Sequence, residues 1–317
     1  MTDGTEPGEH WQALSNWGRW GPDDELGTLN FITPEKRRHA ASLVVSGVTI
    51  SCGLLTEAGP QPGTDQPYQR YMHLTGEGWN DPHRVARKTR QKMNGIDKHA
   101  GASEFVGLNY HGLYITHLDA LSHVFWDGRL YNDRPSELVN VAHGATVLDV
   151  TTMKDGVVSR GVLFDVPRHR GVEWLEPGER VTVQELEAIE RETGVTVSSG
   201  DIILLRTGTG LRRREHGIDP QSMPGWDPAC ALWFRDREVA LIGADSANDA
   251  VPAVVNLGAP LHAVAIPLMG LTLLDNCDLE RLSEHCARTG RNEFMFIVAP
   301  LTLDGMTGSP VNPIAIV

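Results

Sequence analysis

The sequence predicts a mixed α/β fold, with a central mixed sheet flanked by helices. Three observations carry this expectation. Four segments begin with recognisable helix caps. Seven short runs are rich in Val, Ile and Leu and bounded by Gly, Asp or Pro. The two kinds of segment intermix without a regular βαβ rhythm, which argues against an eightfold barrel.

The elements follow in chain order. Thr33-Pro34-Glu35 opens a helix to about Val45, with Thr at the cap and Pro at the first helical position. Thr182 and Glu185 form a capping box for a helix to about Thr193. Asp227 opens a segment through Phe234, and Asp278 another through Arg288. Strands are expected at Val48 to Leu55, Leu113 to Leu118, Gly161 to Val166, Ile202 to Arg206, Val239 to Gly243, Ala263 to Pro267 and Glu293 to Ala299. The chain reads as a single domain over 1–317. One excursion, at about 58–101, is Pro- and Gly-rich at its start and then polar, which suits a lid or an oligomer contact.

Composition narrows the function. The 317 residues carry a net charge of −13, which argues against nucleic-acid binding, since that rests on neutralising phosphates. The basic run Arg212-Arg213-Arg214 reads as a solvated turn or helix end. No apolar stretch approaches the roughly 20 residues of a membrane span. Met1 to His10 is polar and acidic, unlike a signal or transit peptide. Cys52, Cys230, Cys277 and Cys286 are scattered, without a C-x-x-C pair, so a reduced cytoplasmic protein is expected. There is no G-x-S-x-G elbow, no H-E-x-x-H and no Walker sequence. Gly208-Thr209-Gly210 lacks the third glycine of a dinucleotide fingerprint, because position 213 is Arg.

The window His111 to His123 concentrates chemistry, with His111, His117 and His123 around Asp119. Tyr114, Ile115 and Thr116 favour a strand, where residues two apart share a face. His117 and Asp119 would then point the same way and could share one cation. On a helix they would lie about 200° apart. His111 belongs to the same face at a distance, and a turn after the strand could fold His123 back over the site. Imidazole plus carboxylate suits Zn²⁺, Mn²⁺ or Fe²⁺, and such an ion can lower the pKa of its water to about 7. The alternative is an ordinary His–Asp hydrogen bond.

Thr116-His117-Leu118-Asp119-Ala120-Leu121-Ser122-His123 resembles the T-H-x-D-x-P-x-H core of the cyclase family of metal-dependent hydrolases, which includes kynurenine formamidase and isatin hydrolase. The resemblance extends along most of the chain. It takes in Trp17 to Trp20 with Asp24 to Asn30, Phe125 to Gly128, Gly200 to Arg206 and Gly308 to Pro313. It implies a swivelling β/β/α fold, a divalent metal (Zn or Mn), and hydrolysis of a small amide, imide or lactone; the leading reading is a small amide, imide or N-formyl substrate. It matches His117 and Asp119 to metal ligands, and His123 to a proton shuttle that can also touch a metal. His262 matches a distal metal-site histidine. Asp275 stands near where formamidases carry a ligand glutamate.

Three departures qualify the match. The family's histidine four residues before His117 is Leu113 here, with His111 a possible substitute. Its proline is Leu121, and its distal glutamate is Asp275. One ion is therefore expected rather than two. Read without the resemblance, His262 suits a core histidine and Asp275 a helix cap. Asp245-Ser246 suits either a site edge or loop hydrogen bonding. Trp17, Trp20, Phe125 and Trp126 are candidate substrate contacts, the first two through the resemblance, although most aromatics simply fill a core. The resemblance also implies a homo-oligomer, a dimer or tetramer. Lactone hydrolysis at the same metal site, and a metal- or ligand-binding protein without turnover, are the competing readings.

Overall fold

The computed structural model describes residues 13–59, 68–77, 101–253 and 259–317. The chain divides into two compact units, Met1–Leu55 with Tyr110–Val317, and Thr56–Asn109. In the smaller unit, Tyr68–Leu74 and Ser103–Leu108 pair as antiparallel strands. Much of the expected excursion at 58–101, namely 60–67 and 78–100, lies outside the described residues.

The larger unit is built on a curled, mixed sheet of nine strands. In chain order these are β1 (Thr49–Ser51), β2 (His117–Asp119), β3 (Val157–Asp165), β4 (Ile202–Arg206), β5 (Leu241–Ala244), β6 (Thr272–Asp275), β7 (Glu293–Val298), β8 (Gly308–Pro310) and β9 (Ile314–Ile316). Their spatial order is β1-β9-β7-β3-β4-β5-β6-β2-β8. The centre, β3-β4-β5-β6, is parallel, and β2 and β8 add antiparallel beyond β6. β4 is buried along its whole length. Ile203 and Leu205 join one hydrophobic core while Ile202 and Leu204 join another. A strand covered on both faces reads as an unbroken apolar run, which is how it stands in the sequence.

Among the described residues there are seven α-helices: α1 (Pro34–Ser42), α2 (Val166–Arg170), α3 (Val183–Thr193), α4 (Thr209–His216), α5 (Cys230–Asp236), α6 (Pro260–Val264) and α7 (Glu280–Thr289). The caps behave as expected. Thr33 accepts the Lys36 N–H, and Thr182 with Glu185 closes a capping box on α3. None of the described helices is long and apolar enough to cross a membrane.

Four expectations need correction. Ala263 to Pro267 is not a strand. It belongs to α6, which runs into a π-helical turn, Ala265–Met269. A short apolar run buried on all sides does not distinguish strand from helix by pattern, and Pro260 with the Asp249 carboxylate starts the helix. The strand expected from Leu113 is reduced to His117–Asp119. Side chains take the carbonyls before it: Asn276 donates to Gly112 and Ile115, and Arg213 to Leu113. The basic run does end a helix, α4, with Arg214 exposed, but Arg213 is partly buried rather than solvated. Asp275 does not cap α7; Asp278 accepts the Glu280 N–H there instead.

Candidate metal centre

The site lies at the carboxyl ends of β5 and β6, where open α/β sheets generally bind ligands. Register brings its parts together. In the β6–β2 pair Asp275 stands opposite His117, and in the β2–β8 pair Gly308 stands opposite Asp119.

His117 and Asp119 share one face of β2, as the i, i+2 spacing requires, and both are buried. His117 donates its Nδ1–H to the Ile115 carbonyl at 2.9 Å. That leaves the Nε2 lone pair facing Asp119 Oδ1 at 3.6 Å and Asp275 Oδ2 at 3.8 Å. His111 arrives by a different route from the one expected. Residues 111–115 form bends rather than strand, which fold His111 back until its Nδ1 is 3.0 Å from Asp119 Oδ1. Its Nε2 lies 3.1 Å from Thr307 Oγ1. Room for the ring depends on Gly308, where an added Cβ would meet His111 Cε1 at 2.9 Å and the Leu118 carbonyl oxygen at 2.6 Å. His123 follows the turn after β2 and stacks flat on His111, with ring centroids 3.7 Å apart. Its Nε2 is 3.9 Å from Asp119 Oδ1.

On the other side of Asp119, His262 from α6 places Nε2 3.5 Å from Asp119 Oδ2 and 3.4 Å from Asp275 Oδ2. Its Nδ1 contacts Asp249 Oδ2 at 2.5 Å. Asp275 Oδ1 accepts from Asn248 Nδ2, also at 2.5 Å. Asn248 and Asp249 were missed from sequence. They sit in the polar loop after β5, and nothing in their spacing links them to His262 or Asp275.

Electrostatics single out Asp119. Burial pushes its carboxyl up, but His111, His262, His123 and His117 around it hold it well below the ordinary carboxylate range. It is therefore charged and fully buried, yet neither oxygen has a hydrogen-bond partner, and His111 Nδ1 beside it has none either. A buried charge whose hydrogen bonds are left open costs several kcal/mol. Burial lowers His123 to about 4 despite the pull of Asp119. Burial also opposes the charging of His262, but Asp275, Asp119 and Asp249 raise it well above its ordinary value.

The donor set suits a divalent cation. His111, His117 and Asp119 form one triad of ligand atoms, and Asp119, His262 and Asp275 a second that shares the same carboxylate. Ligands at the usual Zn–N and Zn–O lengths in a tetrahedron stand about 3.3 Å apart. The separations of 3.4 to 3.8 Å between His262, Asp275, His117 and Asp119 are slightly wider than that spacing.

A cavity of about 490 Å³ opens onto these groups. Its walls include Leu113, Val124, Met223, Val251 and Ala263. None of the four aromatics proposed as substrate contacts lines it. Trp17 donates to the Pro267 carbonyl, Trp20 packs edge-on against Phe31, Trp126 packs on the core and Phe125 is exposed. Asp245 bonds the Thr207–Gly208 turn, the loop role considered for it.

Residues 66–249 match the family model described as "Putative cyclase", which is more than half of the chain. The chain belongs to this cyclase family. A solved structure described as a novel cyclase is 31% identical to it, with a TM-score of 0.84, covering 97% of this chain and 99% of that one. Two more distant structures share the cyclase fold. An isatin hydrolase bound to the product analogue thioisatinate is 17% identical, with a TM-score of 0.59, covering 88% of this chain and 97% of its own. A predicted metal-dependent hydrolase from Bacillus stearothermophilus is 13% identical, with a TM-score of 0.50, covering 84% and 97%. No curated protein is significantly similar to this cyclase-family chain.

Proposed function

We propose that this chain is a metal-dependent hydrolase that opens or cleaves a small amide, imide or N-formyl bond. The observation that carries the reading is the Asp119 carboxylate, charged, fully buried and without a hydrogen bond, with imidazoles on every side. His111, His117 and Asp119 would hold one Zn²⁺ or Mn²⁺. When bound, such an ion acidifies water and polarises a carbonyl.

The protein's own groups do the rest. His123, a free base at neutral pH, stands at the cavity beside the donors, its ring fixed by the stack on His111. It would accept the proton released by the attacking water and deliver it to the leaving nitrogen as the C–N bond breaks. The hydroxyl then remains on the carbonyl carbon, giving a carboxylic acid that ionises in water, with an amine as the other product, or an amide where the substrate is an imide. The aliphatic walls would seat an uncharged substrate. The charged groups among the described lining residues are carboxylates and histidines, which favour departure of an anionic product. A homo-oligomer in contact through residues 58–101 is proposed with this reading, and a monomer by light scattering overturns that part.

The test is metal content of the wild type and of the His117→Ala/Asp119→Ala double variant. It is followed by turnover of cyclic imides, N-formyl arylamines and lactones. One Zn or Mn per chain, lost in the variant, with C–N cleavage, is the expected result. His123→Ala should lower turnover about 10²–10⁴-fold and leave metal content unchanged. No metal in the wild type after dialysis against Zn²⁺ and Mn²⁺ overturns the reading, and turnover of lactones alone moves the scissile bond to C–O.

A further inference from the structure

The mechanism leaves unused the loop between β5 and α6, which meets the metal centre from behind. Asn248 is fully buried in the left-handed region, at φ 56°. Its Oδ1 accepts from the Trp226 indole N–H at 2.9 Å. Its amide Nδ2 therefore faces the other way and donates to Asp275 Oδ1 at 2.5 Å and to the Leu274 carbonyl at 3.1 Å. With Oδ1 engaged, Asp275 offers Oδ2 to His262 and His117. The adjacent Asp249 takes three donors. Its Oδ1 accepts the Leu261 N–H at 2.6 Å, and its Oδ2 accepts the His262 N–H at 3.1 Å and lies 2.5 Å from His262 Nδ1. One carboxylate thus starts α6 and holds the His262 Nδ1–H, so that Nε2 is turned toward Asp119 Oδ2.

Residues 248–251 are themselves held in place. The Trp226 N–H donates to the Asn248 carbonyl, and Met223 and Val251 exchange both backbone hydrogen bonds. Gly225 admits this approach, since a Cβ there would lie 2.3 Å from the Asn248 oxygen.

We infer that Asn248 and Asp249 are positioning residues for the metal centre, acting through Asp275 and His262 on the Asp119 carboxylate. The inference rests on the proposed metal-dependent reading. Removing a partner that orients a ligand typically costs 10–100-fold in metal affinity. Asn248→Asp would set an acceptor against Asp275 Oδ1. In Asp249→Asn, Oδ1 can still accept from Leu261, but an amide placed toward Nδ1 would set one donor against another and disfavour the Nδ1–H.

The experiment is Zn²⁺ affinity by chelator competition on the wild type and both variants, with thermal unfolding of the metal-free proteins. Alongside it, ¹⁵N spectra of ring-labelled histidine are recorded on metal-free wild type, Asp249→Asn and His262→Gln. The expected result is a dissociation constant raised about 10–100-fold in each variant. A hydrogen-bonded Nδ1–H, assigned by its loss in His262→Gln, should also be absent from Asp249→Asn. Zn²⁺ affinities within twofold of wild type overturn the inference. So does a wild type in which His262 shows no Nδ1–H, and this readout stands even if a variant does not fold. A wild type that binds no metal while showing that Nδ1–H sinks the functional reading and leaves the orientation of His262 established.

Discussion

Two buried carboxylates of the same sheet show that hydrogen-bond partners, not burial, separate structure from function. Asp165 ends β3 beside Arg206 at the end of β4. It accepts from Arg206 Nη1 at 2.9 Å, from the Ser283 hydroxyl at 2.5 Å, and from both the backbone and the Nε of Arg168. Arg206 in turn binds Glu280 through two nitrogens. Asp119 on β2 is at least as buried and accepts from nothing. A structural carboxylate closes its own network. One whose oxygens stay open in a ring of histidines is shaped for a partner the chain does not supply.

The most severe way to break this contrast is Asp119→Asn. It should abolish metal binding and lower kcat/KM by at least about 10³-fold, since a catalytic metal contributes several kcal/mol to the transition state. The metal-free protein should melt no lower than wild type, because a buried carboxylate with no hydrogen bond is removed while His262 keeps Asp249 and Asp275; a clear drop in its Tm would mean that Asp119 is structural after all. Next is a comparison across the shared carboxylate. His111→Leu should weaken Zn²⁺ more than about 100-fold, and His262→Leu by about 10–100-fold, the range for an orienting group. Chelator competition that ranks them in the opposite order would assign the ion to the His262–Asp275 side.

Gly308→Ala should destabilise the fold by about 1–3 kcal/mol through overpacking and displace His111. Urea unfolding and metal affinity would both fall, and an unchanged metal affinity would show that His111 does not hold the ion. The mildest effect is expected at Asp165. Burial raises its carboxyl, but Arg206, Ser283 and Arg168 outweigh it and leave the group below its ordinary value. A lowered folded-state pKa gives stability that is complete above the unfolded value near 4 and is lost as pH falls through the folded value. Wild type should therefore lose urea resistance more steeply below about pH 4 than Asp165→Asn, and parallel curves would count against the network.

Much of the frame was legible because it is local. Caps at Thr33 and Thr182 and the apolar run of β4 each settle within a few residues. His117 and Asp119 were legible for the same reason, since a three-residue strand is enough to fix a shared face. His111 was harder to place. It reaches the site through bends held by Asn276 and Arg213, residues far from it in sequence. His262 and Asp275 pointed to the site only through the family motif, because α6 reads equally well as a strand. Asn248 and Asp249 gave no signal, since an Asn and an Asp in a polar loop look alike whether they face solvent or a ligand. The cavity walls come from separated small aliphatic residues rather than from the conspicuous aromatics, so no single segment announces them.

The placement of β8 bears on how the protein comes into being. Thr307, which meets the His111 ring, lies 196 positions after it in the chain, and Gly308 pairs with Asp119. At about 5–20 residues per second of synthesis, the ribosome makes the first donors roughly 10–40 seconds before the strand that completes their surroundings. During that interval the imidazoles are present but not yet held in the geometry that selects an ion. On the proposed metal-dependent reading, loading with metal would follow the closing of the sheet rather than the appearance of the His111–His123 segment.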